Sequence, residues 1–264
     1  MSTIVVLVKN VPDTWSTKTL EGDHTLDRTN VDSVIDEINE YAVETALRIK
    51  EAEPERFNVV ALSMGPAGSE EALRKALAMG IDDAVLLSDD ALAGSDAVAT
   101  AWALTNAINT IEDVALIVMG NESSDGSTGT LAGLLSEYRQ IPALTQVGPV
   151  AVTGDVVNAT RVDELGQWEL EASLPAIVSV TEKAEKPRFP NFKGLQAAKK
   201  HEITVLDAAT ASVDPAHVGL GHSATVVQAA EEVPAREAGE IIDSGSAEDI
   251  AAQVVAKLAE KNLI

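Results

Sequence analysis

The chain has 264 residues, 45% of them hydrophobic, with 42 acidic against 19 basic side chains and a formal net charge of −23. That length buries a full core, as one sizeable α/β domain with an appendage or as two small domains, while the charge disfavours nucleic acid and anionic membrane as main partners. The absence of cysteine excludes disulfides, thiolate metal sites and a cysteine nucleophile.

The acidity is spread along the chain, which suggests a halophilic protein of a high-salt cytoplasm where screening relieves self-repulsion. No basic-apolar-small leader opens the sequence and no run of 18 apolar residues occurs, so the expectation is a soluble cytoplasmic protein that is not membrane-embedded. The four histidines lack the close pair spacing of zinc motifs, so no metal site is expected.

Residues 3–8, Thr-Ile-Val-Val-Leu-Val, form a β-branched apolar run and predict a central strand. Residues 15–33 are rich in Asp, Thr and Gly and predict a long loop or small hairpin. Trp15 in that stretch either covers a ligand ring or tucks into the core, and the core is the expectation. Between residues 36 and 51, Ile38, Ala42, Ala46 and Ile49 recur at helical spacing, with Asp36 and Glu37 suited to the first turn. A strand over 57–63, a helix over 70–79 ended by Gly80, a short strand over 84–87, an Ala-rich helix over 94–109 and a strand over 114–119 follow. This alternation specifies a doubly wound, mostly parallel α/β sheet.

After Pro142 the pattern changes. Residues 150–157 and the period-two series Trp168, Leu170, Ala172 and Leu174 predict a small antiparallel hairpin extension, and residues 176–180 return to a buried strand. Lys183, Lys186, Arg188, Lys193, Lys199 and Lys200 then form a basic island, either a solvated connector or a docking loop for an acidic partner or a phosphate. Residues 207–244 show little periodicity and predict an extended arm, and Ile250, Val254 and Leu258 give one stripe of a terminal helix from about Ala247. The expected division is a nucleotide-binding domain over 1–206 and an arm with a docking helix over 207–264.

The loop between the strand at 114–119 and the helical spacing of Leu131, Leu134, Leu135 and Tyr138 reads Gly120, Asn121, Glu122, Ser123, Ser124, Asp125, Gly126, Ser127, Thr128, Gly129, Thr130. A strand–loop–helix order leaves the first helical N–H groups without intrahelical partners at the sheet's C-terminal edge, where phosphate binds. Gly126 and Gly129 allow close approach, and Ser127, Thr128 and Thr130 add hydroxyl donors. Glu122 and Asp125 oppose an anion unless they cap the helix or accept from ribose hydroxyls. An ordinary capped loop accounts for the same residues. No acid/base or nucleophile constellation is visible, so no catalytic residue is assigned.

Several segments carry a resemblance: Val8-Lys-Asn-Val-Pro-Asp-Thr14, Asn39-Glu-Tyr-Ala-Val-Glu-Thr-Ala46, Leu62-Ser-Met-Gly-Pro66, Ala76-Leu-Ala-Met-Gly80, the loop from Gly120 to Gly129, Leu174-Pro175, Pro187-Arg-Phe-Pro190 and Gly194-Leu-Gln-Ala-Ala-Lys-Lys200. In this order, with Glu240-Ile-Ile-Asp243 and the last helix, they resemble the beta (small) subunit of an electron-transfer flavoprotein. The resemblance implies that the sheet is of Rossmann-like, adenine-nucleotide-binding type. It also implies a two-subunit electron carrier, not an enzyme with substrate chemistry of its own, whose FAD is held mainly by the alpha subunit while the small subunit holds AMP. Carried over by position, the cofactor contacts fall on Leu7, Asp36, Glu37, Ile38, Asn39, Met64 and residues 120–131, ending at Leu131. The flavin-facing loop maps near Val11 to Thr14, and the terminal arm is expected to dock on the alpha subunit. Partner docking falls on Lys183, Ala184, Lys186 and Arg188, with Ala184 where many members place an aliphatic anchor.

The implied partners are acyl-CoA-type or other flavin dehydrogenases, with a membrane quinone oxidoreductase as acceptor. The family often reads Asn-Pro-Phe where this chain has Asp36-Glu37-Ile38, and Gln-Ala-Ile-Asp-Gly-Asp where it has Glu122-Ser-Ser-Asp-Gly-Ser127. An electron-bifurcating variant with a second FAD in this subunit therefore stays open, as does a nucleotide-binding stress or sensor protein.

Overall fold

The structure is a computed structural model that describes residues 1–234 and 238–264. The chain divides into two compact units, Met1–Val227 and Gln228–Ile264.

In the first unit, β1 (Ser2–Leu7) leads through β2 (Asn10–Pro12) and β3 (Ser33–Ile35) to α1 (Glu37–Ala52). β4 (Phe57–Met64), α2 (Glu70–Met79), β5 (Asp83–Leu87), α3 (Ala97–Ile108), β6 (Val114–Gly120) and α4 (Leu131–Arg139) follow. β7 (Ala143–Val147), β8 (Val150–Thr153), β9 (Val156–Asp163), β10 (Gly166–Ser173), β11 (Ala176–Val180), α5 (Phe192–Lys200) and β12 (Thr204–Leu206) complete the domain. The main sheet has seven strands in the order β12-β5-β4-β1-β6-β11-β7, and every pairing in it is parallel.

Burial follows from composition. Residues 3–7 of β1 and all five residues of β11 are buried, as strands covered on both faces must be, and each fully buried Val, Leu or Ile contributes about 1.5–3 kcal/mol. One face packs Ala42, Val43, Ala46 and Leu47 of α1 and Leu73, Ala76 and Leu77 of α2 against Ile4, Val6, Val59 and Val118. The other packs Ala99, Ala103, Leu104 and Ile108 of α3 and Leu135 of α4 against Val5, Leu62 and Ile117. Gly80 ends α2 at φ +123°, where a side chain would be strained. β8, β9 and β10 form the expected antiparallel extension, registered as Val152↔Val157 and Trp168↔Arg161.

The sequence does not announce β2 and β3, the short edge strands β7 and β12, or α5, whose exposed basic face hides a stripe buried only at Ala198. The chain after Leu206 also stays with the sheet. Ala208, Ala211, Val213 and Val218 are buried against α3's layer, and Ala208 N donates to the Asp89 carboxylate at 3.0 Å. The first compact unit runs to Val227. In the second unit, α6 (Ala247–Glu260) opens on a capping box between Ser246 and Asp249 and carries the Ile250, Val254 and Leu258 stripe. Among the described residues, no helix is long and apolar enough to cross a membrane.

Candidate functional site

The chain runs outward from β1 to β4 and β5, then returns to lay β6 on the other side of β1. The strand order reverses there, and in doubly wound sheets ligands bind at the C-terminal strand ends beside such a reversal. Leu7, Met64 and Gly120 end β1, β4 and β6. Asp36 and Asn39 are buried at the start of α1, Ile38 is half-buried and Glu37 exposed.

The loop at 120–130 is pinned to this edge. A Cβ on Gly120 would lie 2.6 Å from Ile38 Cγ2 and 2.9 Å from Asn39 Nδ2, so only glycine lets α1 approach the end of β6 this closely. Asn39 Oδ1 accepts from Lys9 N at 2.7 Å, and Asp36 Oδ2 accepts from Ser124 N at 2.8 Å. Asn121 N donates to Val180 O at 2.9 Å, and Ser127 N to Ser123 O at 2.8 Å. Ser127 and Gly129 both have positive φ, +43° and +61°. Thr130 stands at the N-cap of α4 without a capping side-chain bond, and among the described residues neither the Thr128 nor the Thr130 hydroxyl hydrogen-bonds within the chain. Loop and helix start thus present unspent donors at the edge.

Asp125 neither caps α4 nor opposes an anion with a free charge. Its side chain is 2% exposed, with Oδ1 2.6 Å from Lys9 Nζ and Oδ2 2.8 Å from Arg28 Nη2. Burial works against its ionisation, but Lys9 and Arg28 outweigh it and hold the carboxyl below its ordinary range. Asp36 is the opposite case: burial pushes its carboxyl up, against the bond from Ser124.

Asp36→Asn keeps an acceptor for Ser124 N and removes a charge that burial disfavours, so thermal unfolding at pH 7 is expected to change little. Asp36→Ala leaves that N–H unpaired and is expected to cost about 1–3 kcal/mol. Equal midpoints for the two variants would count against the bond.

Lys9 and Arg28 are the residues that sequence reasoning missed. The available signal is that Arg28 is the one Lys or Arg between Lys18 and Arg48. Trp15 corrects an expectation: it is 94% exposed, not tucked into the core, because residues 13–32 form an excursion closed on itself by Asp13 N to Asp32 O at 2.8 Å and a Leu20↔Leu26 bridge.

The residues expected to dock a partner lie elsewhere, after β11. Arg188 is not free: its Nε donates to Glu44 Oε2 at 2.7 Å and its Nη2 to Glu51 Oε2 at 3.0 Å, both on α1. Lys183 Nζ reaches Val162 O at 3.3 Å, and Ala184 packs half-buried on the core. Phe189 and Phe192 beside them are 88% and 78% exposed.

Fold and site define a doubly wound α/β protein with a pinned, donor-bearing loop at its switch point. A family model described as "Electron transfer flavoprotein domain" matches residues 23–211. The electron transfer flavoprotein subunit beta of Mycobacterium tuberculosis (strain ATCC 25618 / H37Rv) is 48% identical over 250 residues, covering 93% of this chain and 94% of the relative. That of Mycobacterium leprae (strain TN) is 46% identical with both chains wholly covered. The caffeyl-CoA reductase-Etf complex subunit CarD of Acetobacterium woodii is 31% identical over 99% of each chain. The chain belongs to the electron transfer flavoprotein family, as a beta subunit.

Proposed function

We propose that this chain pairs with an alpha subunit in a heterodimeric electron carrier of the cytoplasm. FAD held mainly by the alpha subunit passes electrons from acyl-CoA-type or other flavin dehydrogenases to an acceptor such as a membrane quinone oxidoreductase. In this reading AMP is the structural nucleotide of the crevice, held by Leu7, residues 36–39, Met64 and residues 120–131.

The observation that carries the reading is the pinned 120–130 loop with α4 uncapped behind it. The donor set suits a phosphate: open helical N–H groups, free Thr128 and Thr130 hydroxyls, and an Asp125 whose charge is already matched. FAD fits only in part, since the residues mapped toward it, Val11 to Thr14, offer an edge and not a cradle. When bound, FAD supplies the redox chemistry; this chain's residues cover it and hold the nucleotide.

The test is to coexpress the chain with an alpha subunit and count FAD and AMP in an acid extract. One of each per heterodimer is expected, and the chain expressed alone should carry little or no flavin. Two FAD and no AMP would establish the second-flavin alternative. A colourless homodimer would establish a stand-alone sensor.

Thr128→Leu removes a hydroxyl and crowds the start of α4, and is expected to weaken nucleotide binding by about 1.5–3 kcal/mol. Unchanged AMP content, measured by mass spectrometry of the denatured supernatant, would reduce the loop to a cap.

Dehydrogenase docking is assigned to residues 183–195. With Arg188 committed to α1 and Ala184 packed on the core, the exposed Phe189 and Phe192 are the apolar anchors, and Lys183 and Lys186 supply the charge contrast.

A further inference from the structure

We propose that Arg28 is a positioning residue that fastens the 13–32 excursion to the 120–130 loop, so that order in the two segments rises and falls together. The excursion leaves the sheet edge after β2 and returns at β3, and it is largely satisfied from within. The Asp27 carboxylate accepts from Thr29 N at 2.8 Å, from Asn30 N at 3.1 Å and from Asn30 Nδ2 at 3.1 Å. Among the described residues, Arg28 is the only member of 13–32 whose side chain hydrogen-bonds outside the segment. It does so twice, through Nη1 to Asn10 O at 3.1 Å and through Nη2 to Asp125 Oδ2 at 2.8 Å.

Arg28 also lines a cavity of about 300 Å³ between the excursion and the start of α2, so these bonds, and not close packing on every side, set its pose. The partner it grips is well chosen for a fastening. The Asp125 side chain is almost wholly buried, and its other oxygen is held by Lys9, two residues past the end of β1, whose N–H is tied to Asn39 of α1. Asp125 is therefore the joint between a fixed cation and one carried by a segment with few outside ties.

Loss of Arg28 leaves Asp125 matched by Lys9, so the domain should still fold while the excursion comes loose. The mechanical link stands on its own. Its consequence for ligand binding rests on the proposed reading of 120–130 as a nucleotide loop: a nucleotide that orders the loop would, through Arg28, also order the segment bearing Trp15.

Hydrogen–deuterium exchange by mass spectrometry on the full chain tests both levels. Without ligand, Arg28→Met should raise amide exchange in both segments, and Asp125→Asn should raise it in 13–32 although the substitution lies in the other segment. Both effects should be roughly tenfold, the scale of one charge-assisted hydrogen bond. The double variant should add little to either single one. Exchange over 13–32 that is unchanged in Asp125→Asn would overturn the fastening.

With AMP as probe, the wild type should gain protection over 120–131 and over 13–32, and Arg28→Met over 120–131 alone. Equal protection of 13–32 in both proteins would overturn the coupling, as would protection confined to 120–131 in the wild type. No protection over 120–131 in the wild type would sink the nucleotide reading instead, with the ligand-free comparison still deciding the fastening.

Discussion

Arg188→Met is expected to lower the unfolding midpoint of this protein by roughly 10 °C at pH 7, even though the residue sits in a segment that reads as a surface connector. Glu44, in the middle of α1, has a side chain with no solvent exposure. Its Oε2 accepts from Arg188 N at 3.1 Å and Nε at 2.7 Å, and its Oε1 from Arg188 Nη2 at 3.1 Å and Arg48 Nε at 2.6 Å. Arg188→Met removes two of these four bonds and leaves the buried carboxylate with Arg48 Nε and the backbone N–H, so the cost falls at the low end of the about 3–5 kcal/mol for breaking a buried pair, and 1 kcal/mol moves the midpoint of a domain this size by about 2–4 °C. Glu51, half exposed, adds little to that figure.

The pH dependence has a definite sign. Burial works against ionised Glu44, but Arg188 and Arg48 outweigh it and leave its carboxyl below the ordinary value of 4.5. A depressed carboxyl contributes stability that is present above its unfolded value and lost as pH falls through the folded one. The gap between wild type and Arg188→Met should therefore be full at pH 7 and close in acid below about 4.5. Coincident thermal melts at pH 7, followed by circular dichroism, would show that Arg48 alone satisfies Glu44.

The second large effect concerns function. Phe189→Ser with Phe192→Ser is expected to slow reduction of the assembled carrier by its dehydrogenase roughly 30-fold, the scale of losing an apolar hot spot worth about 2 kcal/mol. The melting curve should stay in place, because 88% and 78% of these residues already face solvent. Charge reversal at Lys183 and Lys186 should give a smaller defect, weaker still in high salt where the Debye length falls to about 3 Å. Arg188 does not belong in that series, since its reversal would set a third carboxylate beside Glu44 and Glu51. Stopped-flow traces that match wild type in the double-serine variant would move docking off this segment.

Those two results concern what the sequence hid. The parallel core was legible because strands buried on both faces are written as unbroken apolar runs, as at Ile4–Val8 and Val114–Met119, or runs broken once, as by Ser179 in Ala176–Val180, and because Gly80 marks a helix end. The edge strand Ala143–Val147 was not, since Thr145 and Gln146 break the run where only one side of the strand is paired. The small residues Ala208, Ala211 and Val213 read as an arm because they join the core without a period. At the candidate site, the strand-end positions followed from alternation of strands and helices. The ion pairs did not: Asp125 meets Arg28 and Glu44 meets Arg188 across long stretches of sequence, and charge identity alone says nothing about which partner a fold supplies.

The position of β12 bears on the order in which the molecule is made. β1 and β4 pair with only β2, β3, their excursion and α1 between them, so the first two of the seven strands can pair once Met64 has been synthesised. β5 then waits on its outer side until Thr204 arrives to pair with Val85, after β6, the antiparallel extension and β11 have all been built. Through that interval its free edge is a template for strand addition by another chain, and Asp83 is the only charged residue along Asp83–Leu87. The three residues Thr204–Leu206 close that edge, and chains interrupted before them should associate through β5 instead of remaining monodisperse.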